Sequence, residues 1–297
     1  MLAILLALVA AAGYGGSDFA AGLASRRASV IRVTLTSEAV SVAVVGLALA
    51  LLGSGPPGLR AVAWGAVAGL GGVTGALALY VGFRHAAFSV AGPLSAVGAA
   101  GFSVLAGLLL GERPTALALT GIVLALPAIV GVSASARSAS GPAEDGAPAP
   151  GPGAARRRAE RGVTYGLVAG ACFALLFIGL NEAGSGSGLW PVFSGQAVAL
   201  VAVICVAACT SDLRLPQARG GRLAALTGLT GAPATIFYFV ATHHGLLAVT
   251  AVITSLYPAV TILLARVLLG KRLTAFRLGG LVLAAASVSL IAVGGAG

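Results

Sequence analysis

Two carboxylates, Asp18 and Glu38, lie inside long apolar stretches of a chain that has few charges elsewhere. Each lies about seven residues, or on the order of 10 Å at a helical rise of about 1.5 Å per residue, from the turn that holds Arg26 and Arg27. An ionisable side chain at the centre of a membrane costs about 2.5–3.5 kcal/mol on insertion scales, so its presence there suggests a function. Acids at matched depth could relay a proton or cation, or bind the ammonium group of a solute. Alternatively, each acid is neutral or paired, with Arg32 or a neighbouring Ser or Thr as its partner.

Further polar side chains within apolar stretches could shape the same site. They are one amide, Gln196, and four phenols, Tyr14, Tyr80, Tyr238 and Tyr257. A buried phenol needs a hydrogen-bond partner, so these side chains could line a cavity and contact a solute, or simply pack or anchor the protein at the membrane interface. Tyr257 is the best aromatic candidate because it precedes Pro258, and a proline within a helix frees a carbonyl one turn earlier.

The composition excludes a water-soluble globular fold. Of the 297 residues, 58% are hydrophobic and 9% are charged, whereas soluble domains have about 45–50% apolar and about 25% charged residues. At about 20 residues per spanning helix, the length accommodates about ten spans. We therefore predict an all-α membrane protein with ten transmembrane helices. The apolar stretches occupy residues 2–23, 32–53, 61–83, 87–110, 115–135, 163–181, 190–210, 222–242, 246–269 and 274–295. The prolines predicted to interrupt these spans are Pro93, Pro127, Pro233 and Pro258.

A linker and an internal duplication organise the chain. Residues 136–161 are rich in Pro, Gly and Ala with mixed charge, which is the composition of a flexible linker. They separate a first five-helix unit, residues 1–135, from a second, residues 162–297. The sequence VLAGLLLGERPT at 104–115 corresponds to LLARVLLGKRLT at 263–274, and nearly the same offset pairs Glu38 with Gln196. Because five is odd, the second copy must enter the membrane from the opposite side. This predicts two inverted repeats around a central cavity.

These features resemble the EamA family of the drug/metabolite transporter superfamily. The resemblance is carried by the two five-helix halves, by LLLGER-x-T in the first half and its counterpart in the second, and by GYGGSDF at 13–19. It implies ten helices around a central cavity and a multi-pass protein of the plasma membrane. It also implies movement of small metabolites, often amino acids or other polar solutes, mostly outward. One departure is Lys271, which stands where the first copy has Glu112.

The distribution of basic residues predicts the orientation in the membrane. Of the 18 Lys and Arg residues, all but Arg60 and Arg113 fall in the turns on the side of the linker. The positive-inside rule then places the linker in the cytoplasm and both termini outside. The family resemblance implies the opposite orientation, with the termini in the cytoplasm, and we favour the charge distribution.

The leading hypothesis is a secondary transporter, an exporter of small polar or amphipathic metabolites by alternating access. The sequence contains no HExxH, no Walker motif and no nucleophile–His–acid grouping, so we expect neither an enzyme nor a cofactor. Cys172, Cys205 and Cys209 have no His or carboxylate nearby in sequence, and we expect no metal site. The expected partners are a small-molecule solute, the lipid bilayer and protons, and nucleic acid is excluded. An uncoupled facilitator, a non-transporting membrane protein and an intramembrane lipid enzyme are the alternatives. Substrate and oligomeric state are left open.

Overall fold

A computed structural model describes residues 1–53, 55–85, 88–133, 152–212, 218–270 and 275–294. This part of the chain is all α-helical and contains eleven helices, which confirms the predicted all-α class. The helices are α1 (Leu2–Ala24), α2 (Val30–Leu52), α3 (Leu59–His85), α4 (Phe88–Leu109), α5 (Ala116–Ser133), α6 (Pro152–Glu182), α7 (Trp190–Cys209), α8 (Ala218–Thr242), α9 (Leu247–Thr254), α10 (Tyr257–Leu269) and α11 (Ala275–Gly294).

Nine helical segments of the described residues are long and apolar enough to cross a membrane. A further apolar segment, Ala116–Val132 in α5, is shorter. Each predicted apolar stretch lies on a helix, but the stretch at 246–269 is divided between α9 and α10. The chain therefore has the character of a multi-pass membrane protein.

The break between α9 and α10 occurs at Ser255 and Leu256, next to Pro258 in the first turn of α10. This is the interruption that the proline predicted. The same prediction was wrong for the three other prolines, because α4, α5 and α8 continue through Pro93, Pro127 and Pro233. A helix packed among others tolerates one missing backbone hydrogen bond when its neighbours supply the rest of its contacts.

Helix α6 begins at Pro152, within the segment whose composition predicted a linker. Its first residues include Ala154, Ala155 and a run of arginines, which are good helix formers. The remainder of the predicted linker, residues 136–151, lies outside the described residues. So does Lys271.

Glycine contacts give the relative directions of the packed helices. Gly13 of α1 faces Ala234 of α8, and further along α1 the hydroxyl of Ser17 donates to the carbonyl of Thr227 at 3.0 Å. Rising numbers on α1 meet falling numbers on α8, so these two helices are antiparallel. A Cβ placed on Gly13 would lie 2.7 Å from the Cβ of Ala234, which shows how closely the backbones approach.

Helices α3 and α6 pack in the same antiparallel manner. Gly71 of α3 faces Cys172 of α6, and Gly75 faces Phe173 and Ala169. In contrast, α4 and α6 are parallel, because their contacts advance together along both helices, from Gly166 opposite Ala91 to Gly170 opposite Gly98. Helix α1 likewise runs parallel to α9 and α10.

Candidate functional site

A cavity of about 560 Å³ lies between α1, α2, α3, α4, α6, α7, α8 and α10. Its wall is largely apolar, with a limited set of polar side chains that converge on it. This is the usual composition of a small-molecule site. The polar residues lining it are Tyr14, Ser17, Asp18, Ser25, Thr34, Ser37, Glu38, Ser41, Ser95, Gln196, Thr227, Thr235, Tyr257 and Thr261.

The cavity extends to the end of the molecule that holds the turn between α1 and α2. Its lining includes Ser25 and Val30, which flank this turn and its two arginines, Arg26 and Arg27. We call this end the mouth. The turn between α6 and α7 lies at the other end of α2, where the Trp190 indole donates to the carbonyl of Gly55 at 2.8 Å.

A buried cluster closes the end opposite the mouth. Phe177, Leu180 and Val192 line the cavity there and are between 1% and 3% exposed. Behind them the ring of Tyr238 packs against that of Phe177, with centroids 4.5 Å apart, and Phe239 completes the layer. We call these five residues the floor cluster.

Helix α1 brings Asp18 to the cavity as part of a polar stripe. Tyr14, Ser17, Asp18 and Ser25 recur at spacings that place them on one helix face, and all of them line the cavity. The Tyr14 hydroxyl donates to Thr235 Oγ1 at 3.0 Å, which links this stripe to α8. Asp18 is exposed, and the surface it is exposed to is that of the cavity.

Helix α2 brings Glu38 to the cavity in a second stripe, formed with Thr34, Ser37 and Ser41. The Oε2 atom of Glu38 is buried and has no hydrogen-bond partner among the described residues. The proposed pairing with Arg32 is wrong, since Arg32 Nε lies 2.5 Å from Asp212 Oδ1 instead. A buried polar atom left without a partner is costly, and its retention indicates a role for the acid beyond stability.

Five of the seven predicted site residues line this one cavity. Gln196 reaches it from α7, where Gly195 packs so closely on Gly69 of α3 that a Cβ on Gly69 would lie 2.0 Å from the Gly195 carbonyl oxygen. Tyr257 reaches it from the first residue of α10, beside the helix break. The residues that line the cavity are Tyr14, Asp18, Glu38, Gln196 and Tyr257.

The other two predicted residues are placed differently. Tyr238 is fully buried in the floor cluster, where its hydroxyl donates to the carbonyl of Phe177 at 3.3 Å. It belongs to the packed core behind the cavity rather than to the cavity lining. The side chain of Tyr80 lies outside the described residues.

The sequence interpretation considered neighbouring Ser and Thr residues only as partners of the two acids and did not place them in the cavity lining. Thr34, Ser37 and Ser41 stand at i−4, i−1 and i+3 from Glu38, a spacing that marks one face of a helix and could have been read from the sequence. It also missed Thr235 and Thr261. Thr261 is tied to α1 through a hydrogen bond from its hydroxyl to the Gly15 carbonyl at 3.1 Å.

Glu112 forms a contact at the end opposite the mouth. Its carboxylate accepts hydrogen bonds from the backbone N–H groups of Leu247, at 2.5 Å, and Ala248, at 2.9 Å. It thereby caps the N-terminus of α9 from the turn that follows α4. A carboxylate is favourable there because a helix N-terminus carries a partial positive charge.

Nothing in the described part of the chain forms a cluster of three His, Cys, Asp or Glu that could hold a metal ion. The chemistry available in the cavity is therefore that of two acids, an amide, phenols and aliphatic hydroxyls. These groups can bind and release protons and polar solutes by hydrogen bonding.

Comparison with known proteins finds a family match in the second half of the chain. The model of the EamA-like transporter family matches residues 160–293. No curated protein matches the chain. A solved structure described as "Crystal structure of protein" has a similar fold, with a TM-score of 0.72 and 16% sequence identity over 99% of this chain and 97% of that one.

Proposed function

We propose that this chain is a membrane transporter of the drug/metabolite type and, more specifically, a secondary transporter, because residues 160–293 match the model of the EamA-like transporter family. It exports small polar or amphipathic metabolites across the plasma membrane by alternating access. The cavity with its two acids is the solute site.

Correspondence between the two halves supports inverted repeats. By position in each half, α1 corresponds to α6 and α3 corresponds to α8. Helix α1 packs antiparallel on α8, and α6 packs antiparallel on α3 in the same way. Gly111, just after α4, and its counterpart in the second half, Gly270, just after α10, both have positive φ angles, of 91° and 63°. Transporters built from such repeats hold their solute where the repeats meet.

The orphaned oxygen of Glu38 is the observation that carries the proposal. In a membrane a charged carboxylate without a partner is costly, and binding a proton or a cationic group removes that cost. Asp18, on the facing stripe of α1, offers a second acid in the same cavity. Exchange of a proton for the solute at these acids provides coupling to the proton gradient.

The arginine-rich mouth supports a cytoplasmic orientation for the open end. Under the positive-inside rule the structure is then an inward-open state, ready to load solute from the cytoplasm, with both termini outside. The floor cluster is the barrier that has to open when the solute leaves.

The decisive experiment is a solute screen in proteoliposomes with and without an imposed pH gradient, performed on the wild-type chain and on Glu38→Gln. We expect gradient-stimulated flux of at least one polar metabolite, which Glu38→Gln abolishes or uncouples. The matched control is Glu182→Gln, which removes an acid that is paired with Arg60 at 3.3 Å outside the cavity. It should leave flux unchanged.

Two results would overturn the proposal. Flux that persists unchanged when the pH gradient is collapsed would indicate an uncoupled facilitator. Flux and pH dependence that are the same in Glu38→Gln and in wild type would remove Glu38 from the mechanism.

A further inference from the structure

A second depression, which we call the arginine groove, lies beside the mouth of the cavity. It has a volume of about 460 Å³ and is formed where the end of α1 meets the beginning of α8. Its lining consists of Leu23, Arg26, Arg27, Arg219, Arg222 and Leu223. We propose that this groove binds the headgroup of an anionic phospholipid. The proposal is independent of whether the protein transports a solute.

The positive charge of the arginine groove favours binding of an anion. Among the residues that the structure describes, no acid lines the groove, and Arg27, Arg219 and Arg222 are exposed and form no ion pair. Asp212, an acid near this end of the molecule, is bonded to Arg32 at 2.5 Å and also to Ser29. The guanidinium groups of Arg27, Arg219 and Arg222 repel one another, and a phosphate that accepts hydrogen bonds from them removes this repulsion.

The position of the arginines on α8 strengthens this argument. The helix begins at Ala218, so Arg219 stands in its first turn and Arg222 at the start of its second. Cations are unfavourable at a helix N-terminus, whereas anions are stabilised there by the helix dipole and by free N–H groups. A bound phosphate would therefore compensate both the arginines and the helix end.

Apolar residues select a lipid over a soluble phosphate. Leu23 and Leu223 line the groove together with the arginines. Further along α8, away from the mouth, Leu226 and Leu229 are 44% and 55% exposed. The groove thus lies at the boundary between a cationic end and a lipid-facing apolar surface. A lipid whose headgroup occupies the groove can extend its acyl chains along α8. Basic pockets between spanning helices are established sites for anionic headgroups.

Lipid titration of the purified full chain in detergent, followed by intact-protein mass spectrometry, tests the assignment. The probes are phosphatidylglycerol and phosphatidylcholine. We expect phosphatidylglycerol to bind more tightly than phosphatidylcholine. We also expect the double variant Arg219→Gln/Arg222→Gln to weaken phosphatidylglycerol binding on the order of tenfold or more, with no change for phosphatidylcholine.

A matched control removes the same charge elsewhere. Arg161→Gln/Arg266→Gln loses two arginines from the same arginine-rich side of the molecule but outside the groove, and should bind phosphatidylglycerol as wild type does. Equal weakening in both double variants would mean that overall charge attracts the lipid, and would overturn the proposal.

Two additional measurements complete the test. Inorganic phosphate that displaces phosphatidylglycerol at millimolar concentration would identify a site for soluble anions and contradict a lipid site. If the Arg219→Gln/Arg222→Gln variant has a lower melting temperature than wild type in phosphatidylcholine, the single variant Arg27→Gln replaces it. An unchanged preference of Arg27→Gln for phosphatidylglycerol would then count against the groove.

Discussion

At the scale of single residues, the cavity owes its chemistry to acids that the fold does not neutralise. Glu38 keeps one oxygen buried and unpartnered among the described residues, although Ser37 and Ser41 stand on the same helix face. Asp18 faces the cavity from α1. Neither acid forms a described ion pair, whereas Arg32 and Asp212 do pair with each other nearer the mouth. Residues that bind exchangeable solutes or protons commonly cost stability in this way.

We predict that Glu38→Gln stabilises the protein while impairing transport. The substitution removes a carboxylate whose burial is costly and leaves an amide of nearly the same shape, so the free energy of unfolding in detergent should rise by about 1 kcal/mol. Thermal or denaturant unfolding measures this change. Glu182→Gln, which breaks a partly exposed ion pair with Arg60, should alter stability by less than about 0.5 kcal/mol. A less stable Glu38→Gln variant would show that the carboxylate has a structural partner.

At the scale of helices, the division of the ninth apolar stretch into α9 and α10 distinguishes the two halves. Its counterpart in the first half, α4, is continuous through Pro93. Tyr257 and Pro258 open α10 and line the cavity, and Thr254 and Ser255 are fully buried at the break. A helix broken beside a cavity can change the angle between its segments with little loss of packing elsewhere.

We expect Pro258→Ala to lower the transport rate. Alanine restores an N–H that can donate to the carbonyl of Thr254, which favours a continuous helix. Loss of a proline that fits the first turn of α10 opposes this gain through the unfolded chain, so the free energy of unfolding should change by less than about 1 kcal/mol. Proteoliposome flux and melting temperature report the two effects. Pro127→Ala, in α5 and outside the cavity lining, is the control and should leave flux unchanged. A Pro258→Ala variant with wild-type flux would exclude movement at the break from the transport cycle.

Removal of the Glu112 carboxylate should loosen the start of α9. Glu112→Ala leaves two backbone N–H groups, those of Leu247 and Ala248, without their acceptor, at an expected cost of about 1–2 kcal/mol in unfolding free energy. Hydrogen exchange at residues 246–250 should accelerate. The neighbouring exposed Arg113 provides the control, since Arg113→Ala should leave exchange there unchanged. Unaltered exchange in Glu112→Ala would mean that packing alone holds this helix end.

Most of this helical framework could be predicted from the sequence, because length and hydropathy alone identify a segment that crosses a membrane. The faces that the helices turn inward were harder to predict. Tyr14 and Tyr238 both lie within apolar stretches and cannot be distinguished by sequence. Tyr14 nevertheless lines the cavity and Tyr238 is buried in the core, because the orientation of each depends on partners far along the chain. The cap of α9 by Glu112 and the ion pair between Arg32 and Asp212 could not be predicted from the sequence either, because each joins segments that are distant in the chain.

At the scale of the whole molecule, the arginine-rich mouth and the floor cluster give the protein one open and one closed end. Small residues at helix crossings, such as Gly69 on Gly195, hold the two halves in close contact around the cavity. In the proposed transport cycle, the floor cluster opens while the mouth closes, and we expect the helices to pivot at these crossings.

Access to the cavity should therefore be one-sided. In a chain whose native cysteines, Cys172, Cys205 and Cys209, are replaced by alanine, Ser37→Cys should react with a membrane-impermeant thiol reagent only from the cytoplasmic side. Ser185→Cys, in the turn between α6 and α7, should react only from the opposite side. Labelling of right-side-out and inside-out vesicles distinguishes the two. Reaction of Ser37→Cys from the Ser185 side would reverse the assigned orientation or the open end.

The floor cluster also determines where the membrane's voltage falls. A cavity continuous with one aqueous compartment carries nearly the electrical potential of that compartment, so most of the potential difference drops across the layer formed by Phe177, Tyr238 and their neighbours. A charge moving between the bulk solution and Glu38 then does little electrical work. A charge that crosses the floor cluster works against about 2.3 kcal/mol for each 100 mV, so in the proposed transport cycle the passage of charge through this cluster is the electrogenic step.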